Sequence, residues 1–543
     1  MILMPSERQT CAFSCSAVIL VFFFGLSLSL ADEPPPFTCN AEAVTSLSEA
    51  GQSPAAASAV PIPSGQIDKA IQALDGIVQD ALGKSGVPGL AIAVVHQDKL
   101  VYAKGFGVRQ TGTDLRVDEN TVFQLASVSK PLGATVIARL VGQGLIDWNM
   151  PVVKHLPGFA LADPRTTREL TIGDLYSHRS GLPDHAGDLL EDLGYGRSEV
   201  LRRLRFEPLA PFRTTYAYTN FGITAAAQSV ANAMHTSWEE LSRRVLYEPL
   251  GMNSTSSRYA DYAAKVNKAL PHVKEGERWA AKYTRQPDAQ SPAGGVSSSV
   301  IDMAQWLRLQ LGNGQFNGIP LIDAKALIQT RCPYIMSAPP DTSLSRASFY
   351  GLGWGIGYDQ TGRVRFSHSG GFSLGAATTV TLLPSENLGL VVLTNGMPIG
   401  VPEAVAASFF DWVELGELKH NWLPMYGQVF AKMVESPSRL ARKTPPINPA
   451  VARQNSAYVG IYANDYYGPA HIAAIDNGLT LRLGLKPLEF KLRHWDGDTF
   501  AYEPVGENAT GISAVTFTIA GGKPVKMTIE NLDTNHIGSF KRR

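Results

Sequence analysis

Short apolar runs of strand length stand on either side of a long helix-rich stretch, and this enclosure limits the folds open to the chain more than any other feature. Residues 89–96 and 100–105 are two such runs, and the polar Gln97-Asp98-Lys99 between them reads as a hairpin turn. Comparable runs return at residues 351–358, 364–367, 376–383 and 388–394, and the sequence before them to about residue 310 is helix-rich. Ahead of the hairpin, Ile67, Ile71, Leu74, Val78 and Leu82 recur at helical spacing, the stripe of a helix laid on a sheet. Residues 403–415 read as a closing helix. Helices inserted between the strands of one antiparallel sheet define an α+β fold, a sheet flanked by helices with the insertion as a helical subdomain.

A second region follows. Ser436-Pro437-Ser438, Pro445-Pro446 and Pro449 read as an interdomain linker. Beyond about residue 455, alternating runs at 458–462, 479–483, 499–502, 515–518 and 527–529 are punctuated by Asp476-Asn477-Gly478, Asp496-Gly497-Asp498 and Gly521-Gly522. Evenly spaced strands of this kind indicate a small all-β barrel or sandwich. The expected division is a leader over 1–31, a flexible Pro/Ala/Ser-rich lead-in over 32–64, and the main α+β domain over 65–416. A linker over 417–453 and a barrel-like domain over 454–543 complete it.

The leader combines Arg8, the apolar run AVILVFFFGLSLSL over 17–30, and the small-x-small Ser29-Leu30-Ala31 before Asp32. That run is shorter than the roughly 20 residues a spanning helix needs, so cleavage is favoured over an anchor. Export to the periplasm or outside the cell is expected, with no stable membrane span after cleavage. Of the four cysteines, Cys11 and Cys15 fall in the leader, leaving Cys39 and Cys332. An oxidising compartment permits that pair to bridge, although the irregular setting of Cys39 argues against it. No His/Cys cluster has zinc spacing, so neither metal nor cofactor is expected. Basic and acidic residues balance at 48 each without a Lys/Arg stripe, which argues against a nucleic-acid partner.

Chemistry concentrates at three places. Ser127-Val128-Ser129-Lys130 leads into an apolar helical stretch, and a three-residue separation puts Ser127 and Lys130 on one helix face. A hydroxyl needs a base to become a nucleophile, and lysine serves only when burial or cationic neighbours lower its pKa. S-x-x-K alone is a weak signature, but Pro131-Leu132-Gly133-Ala134 after it opposes a surface serine and a solvated lysine. Tyr218-Thr219-Asn220 is the second element: a phenol beside a lysine relays protons, and an amide holds both lysine and substrate. Tyr462-Ala463-Asn464 repeats its form and reads as strand-end packing. The third is His368-Ser369-Gly370 with Gly371, placed at a strand entrance, where small residues admit close backbone approach. His185-Ala186-Gly187 and His536-Ile537-Gly538 share that form as decoys, and His178 and His185 read as loop structure.

In this order the motifs resemble those of the class C β-lactamases, DD-carboxypeptidases, D-aminopeptidases and esterases that share one penicillin-recognising fold. The resemblance spans about residues 66–415 and includes Leu175-Tyr176-Ser177-His178-Arg179-Ser180-Gly181-Leu182, Pro249-Leu250-Gly251-Met252, Ala293-Gly294-Gly295-Val296 and Tyr350-Gly351-Leu352-Gly353-Trp354. It extends to the C-terminal region, which is similar to a small barrel-like domain appended to some members. The resemblance implies an acyl-enzyme on Ser127, with Lys130 and Tyr218 sharing proton transfer and Asn220 orienting substrate and lysine. His368, Ser369 and Gly370 would line the substrate site, and the backbone N–H groups of Ser127 and Gly371 would form the oxyanion hole.

His368 departs from the K-T-G of β-lactamases and removes a fixed cation. Peptidase or esterase activity on a small-molecule or peptide substrate is therefore expected over efficient β-lactam hydrolysis. Activity on carboxylate substrates is expected to rise below about pH 6.5 as the imidazole gains its proton. Two alternatives stay open: a class C-type β-lactamase, and a penicillin-binding sensor or wall-binding protein that acylates but deacylates slowly. Oligomeric state is not read from the sequence.

Overall fold

In the first strand, β1 (Gly89–His96), every residue from Gly89 to Val95 is buried, so an unbroken apolar run ends as a strand covered on both faces. Its hairpin partner β2 (Lys99–Gly107) follows a turn in which Gln97 and Asp98 both take positive φ, 50° and 60°. On the other side β1 pairs antiparallel with a strand almost 300 residues later, Leu90 opposite Thr394. The remaining strands are β3 (Ile335–Ala338), β4 (Ser348–Tyr350), β5 (Gly355–Tyr358), β6 (Val364–Phe372), β7 (Ala376–Leu383) and β8 (Leu388–Thr394). They order as β2-β1-β8-β7-β6-β5-β4-β3 in one antiparallel sheet. This computed structural model describes residues 61–342, 345–359, 361–486, 488–509 and 511–543. The leader, most of the lead-in and Cys39 lie outside the described residues. Cys332 is buried and disulfide-bonded.

Strand alternation divides the core. Leu90, Ile92, Val94, Leu390 and Val392 face α1 (Gln66–Ser85) and the later helix Val401–Leu415. Ala91, Ala93, Val95, Val391 and Leu393 face the helical insertion, whose main elements are α2 (Ser129–Gly142), α3 (Asn220–Ala233) and α4 (Val300–Leu311). Val401–Leu415 is α5. Each fully buried Leu, Ile or Val on these faces contributes about 1.5–3 kcal/mol. Trp306 of α4 stacks on Trp354 at 5.5 Å and donates to Thr135 Oγ1 at 3.0 Å, which ties α2 to α4 and to the turn between β4 and β5.

The segment expected as a linker over 417–453 contains a helix, α6 (Trp422–Met433). Trp422 donates to Asp411 Oδ2 at 2.8 Å and Leu423 packs on the α1/α5 core, apolar contacts that the proline-rich residues after 436 had masked. Further on, Leu440 is buried against Ala501 and Ala514 of the second region. That region is a closed barrel of eight antiparallel strands: β9 (Gly460–Asn464), β10 (Gly468–Ile475), β11 (Gly478–Leu483), β12 (Leu488–Asp496), β13 (Thr499–Tyr502), β14 (Ser513–Ala520), β15 (Lys523–Ile529) and β16 (Ser539–Arg542). Closure through β9 and β16 leaves no sheet edge exposed. Tyr458, Tyr462, Phe500, Phe517 and Met527 fill the interior. Asn464, in the decoy motif, accepts from the N–H groups of Tyr466 and Tyr467 and so caps a turn.

The barrel sits against the helical insertion. Tyr466 Oη accepts from Gly187 N–H and Tyr195 donates to the Tyr467 carbonyl, both at 2.9 Å. Within the insertion, Thr171 and Asp174 form a capping box on the short helix Ile172–Tyr176. Asp174 is fully buried and also accepts from Arg179 at 2.8 Å and Arg213 at 2.9 Å, joining the segments that lead to His178 and Tyr218. Asp174→Ala should therefore lower stability by about 2–4 kcal/mol, read from urea unfolding. A loss below about 0.5 kcal/mol, the range of ordinary surface changes, would contradict this role.

Candidate active site

Ser127 enters the site through a distorted turn. Phe123 and Gln124 pair with Ser298 and Ser297, and Leu125 N–H bonds the Val296 carbonyl at 2.8 Å. Ala126 then takes φ 47°, a left-handed conformation costing an L-residue roughly 1–2 kcal/mol. It throws the chain into the short 3₁₀ turn Ala126–Val128 that runs on into α2. Ser129 Oγ donates to the Ala126 carbonyl at 2.6 Å, and Thr378 of β7 donates to the Leu125 carbonyl at 2.7 Å. Gly370 completes the clamp, because a Cβ there would lie 2.3 Å from Leu125 O and 2.8 Å from Ser127 N. The Ser127 backbone is thus seated on β6.

The expected Ser127, Lys130 and Asn220 converge. Lys130 is fully buried, with Nζ 2.9 Å from Ser127 Oγ, 2.7 Å from Asn220 Oδ1 and 3.0 Å from the Ala293 carbonyl. Burial pulls its pKa down to about 7, opposed by the charge of Asp188. A neutral amine has two N–H bonds and one lone pair. With two carbonyl-type oxygens taking the N–H bonds, the lone pair is left for the Ser127 proton. Asp188 fixes this assignment. Its carboxylate accepts from Asn220 Nδ2 at 2.8 Å, so the amide oxygen must face Lys130. His185 Nδ1 meets the same oxygen at 2.8 Å, and Asp188 is 3% exposed.

Tyr218 presents its ring 4.5 Å from Lys130 Nζ, beside Ser127. Burial raises the phenol well above its ordinary pKa, so it keeps its proton. Its backbone is pinned by Asp184, which accepts its N–H, and by His185, which donates to its carbonyl, each at 2.8 Å. His178 packs on it at 4.5 Å between ring centres and accepts from Thr219 N–H at 3.1 Å. His178 and His185, read as loop structure, are loop residues with φ near 57° that also hold the Tyr218 segment in place, and the His185 ring meets Asp188.

The third motif also differs from expectation. His368-Ser369-Gly370-Gly371 lies inside β6 rather than at a strand entrance. His368 is 8% exposed, with Nε2 2.8 Å from Tyr350 Oη and Nδ1 2.7 Å from the Ser369 carbonyl. Burial, helped by the nearby Lys130, lowers its pKa to about 3, so the expected gain of charge below pH 6.5 does not occur. Alternation places His368 and Gly370 on the Ser127 face and turns Ser369 to the other, where its hydroxyl donates to Thr379 Oγ1 at 3.1 Å. Only the Ser369 main chain remains on the site side. Asp188, Tyr350 and the Ala293 carbonyl were not singled out as site groups. Asp188 carries no local signal, and Tyr350 and Ala293 stood only within family motifs. Among the described residues no group of three or more His, Cys, Asp or Glu could hold a metal ion.

A serine beside a buried amine and a protonated phenol on an α+β sheet is the arrangement that serine acyl-transferring hydrolases require. The family model "Beta-lactamase" matches residues 74–409, and the chain belongs to that family. A model described as "Domain of unknown function (DUF3471)" matches residues 444–539. Penicillin-binding protein 4 of Amycolatopsis lactamdurans is 30% identical over 64% of this chain and 90% of its own. Unguisins hydrolase of Aspergillus violaceofuscus is 26% identical over 72% and 74%. Among solved structures, the octameric penicillin-binding protein homologue from Pyrococcus abyssi aligns with TM-score 0.56 at 19% identity, over 85% of this chain and 98% of that one. The class C β-lactamase from Rhodobacter sphaeroides aligns with TM-score 0.51 at 23% identity, over 63% and 98%. These likenesses establish the β-lactamase/DD-peptidase fold.

Gly370→Ala should abolish close seating of Ser127 on β6. Labelling of the protein by a fluorophosphonate should slow by at least about 100-fold, since displacements near 1 Å cost that much. Wild-type labelling kinetics in this variant would overturn the seating argument.

Proposed function

We propose that this protein is an exported serine hydrolase that forms an acyl-enzyme on Ser127 and hydrolyses an amide or ester. The observation carrying the reading is the fully buried Lys130 amine, 2.9 Å from Ser127 Oγ and oriented by Asn220 and Ala293. Ser127 Oγ attacks the carbonyl carbon while its proton passes to Lys130. The oxyanion forms against the backbone N–H groups of Ser127 and Gly371. Tyr218, protonated at working pH, gives its proton to the leaving nitrogen or oxygen and recovers one from Lys130. The Tyr218 ring under Lys130 favours the transient ammonium. Water then reverses the sequence and frees the acid.

Lysine rather than tyrosine is the base on this reading, because burial moves the two groups in opposite directions. Peptidase or esterase activity is favoured over β-lactam hydrolysis, because an uncharged His368 supplies no cation for a substrate carboxylate. The hydrolase among the relatives supports turnover over slow-release sensing, and the disulfide at Cys332 is in keeping with export.

Mass spectrometry after fluorophosphonate treatment should place the adduct on the Ser127 peptide. Ser127→Ala should lower turnover by on the order of 10⁴-fold on whichever D-amino peptide, short-chain ester or β-lactam is cleaved. An adduct elsewhere with Ser127→Ala still active would sink the reading.

The pH dependence follows from the amine. Only neutral Lys130 accepts the serine proton, so kcat/KM should rise as pH passes through about 7. Asp188→Asn removes a charge that favours the ammonium, so it should shift the limb to lower pH; a shift to higher pH would contradict lysine as the base.

A further inference from the structure

The barrel sends one carboxylate back to the acylation site. In the loop between β13 and β14, Glu507 accepts from Ser373 N–H at 2.5 Å and from Leu374 N–H at 3.4 Å. These residues follow Phe372, the end of β6, and stand just beyond Gly371. The loop is itself anchored: Asp192 accepts from the N–H groups of Glu507 and Asn508, each at 2.9 Å. A Cβ on Gly506, whose φ is 127°, would lie 2.5 Å from Asp192 Cγ, so only glycine brings the loop this close.

Glu507 also faces Arg285, with Nε 3.6 Å away and only 5% of the residue exposed. Arg285 bonds Glu191 at 2.6 Å, accepts Gln124 Nε2 on its carbonyl at 2.8 Å, and lies 4.8 Å over the Phe372 ring. Phe372 packs on Ala126 and Ala376. A continuous contact path therefore runs from the barrel carboxylate to the left-handed residue before Ser127.

We propose that Glu507 is a positioning residue of the acylation site, supplied by the barrel: it fixes the Phe372–Leu374 end of β6, and with it the Gly371 N–H and the Ala126–Ser127 backbone. The proposal rests on Ser127 as nucleophile. Arg285 and Asp192 face the carboxylate, Glu191 shares Arg285 with it, and Lys486 donates to the carbonyls of Glu191 and Asp192. Burial pushes the Glu507 carboxyl up to about 8 against the pull of Arg285. Its charged form, the better acceptor for two N–H groups and the partner of Arg285, gains as pH rises through that value.

The full-length protein tests this with Glu507→Gln, Glu507→Asp and Asn535→Ala. The last removes a separate barrel contact, the 3.0 Å bond to Glu207. Steady-state turnover of a chromogenic ester, fluorophosphonate labelling and thermal melting are compared. Glu507→Gln should lower kcat about 10- to 100-fold with KM little changed, and should remove the upper of two ionisations on the rising limb. Glu507→Asp should keep that ionisation while losing rate. Asn535→Ala should change the melting temperature alone. A Glu507→Gln enzyme with wild-type kcat and pH profile would overturn the proposal, as would an equal rate loss in Asn535→Ala. In every variant the adduct should stay on Ser127; an adduct elsewhere would instead overturn the nucleophile assignment.

Discussion

The Lys130 amine lies wholly out of solvent with three protein oxygens around it, and most of the surrounding architecture serves that burial. A buried ammonium is expensive, so the group moves toward neutrality, which is the state a general base requires. Each oxygen comes from a different segment: the 3₁₀ turn before α2, the start of α3, and the carbonyl of Ala293 before β-bridged Ser297. The sheet, α2 and the insertion must all be in place before the amine is dry.

Around this centre, polar groups are arranged so that few have a choice of partner. Asp188 accepts only, which forces the Asn220 orientation, which in turn leaves the lysine lone pair for serine. Tyr218 is held through both its backbone groups and by the His178 ring, so its phenol is aimed without moving. Tyr350 and the Ser369 carbonyl occupy both His368 nitrogens, and burial beside Lys130 keeps neutral a residue that titrates near neutrality in water.

The barrel is part of this arrangement rather than a remote appendage. It docks on the segment 187–203 through Tyr466, Tyr467 and Asp465, and Glu507 reaches the end of β6. Sequence alternation made five of its eight strands visible, but a loop residue carries no periodicity that could announce where its side chain lands. The helix α6 was missed for a related reason: prolines nearby dominate the local signal, whereas Trp422 and Leu423 gain their meaning only from Asp411 and the α1/α5 core.

By itself the sequence determined what is local or periodic: the strand hairpin, the α1 stripe, the alternating runs of the barrel, and the pairing of Ser127 with Lys130 one helical turn apart. The two other motifs, Tyr218 with Asn220 and His368 to Gly371, were legible as residue types in a family order. Only the tertiary structure decided their states. The pKa of Lys130, the retained proton of Tyr218, the neutrality of His368 and the outward turn of Ser369 depend on desolvation and strand register. Those are set by groups distant in sequence, Asp188, Tyr350 and Ala293 among them. Spacing along a chain fixes which atoms share a face; which charges survive there depends on how much water the rest of the fold excludes.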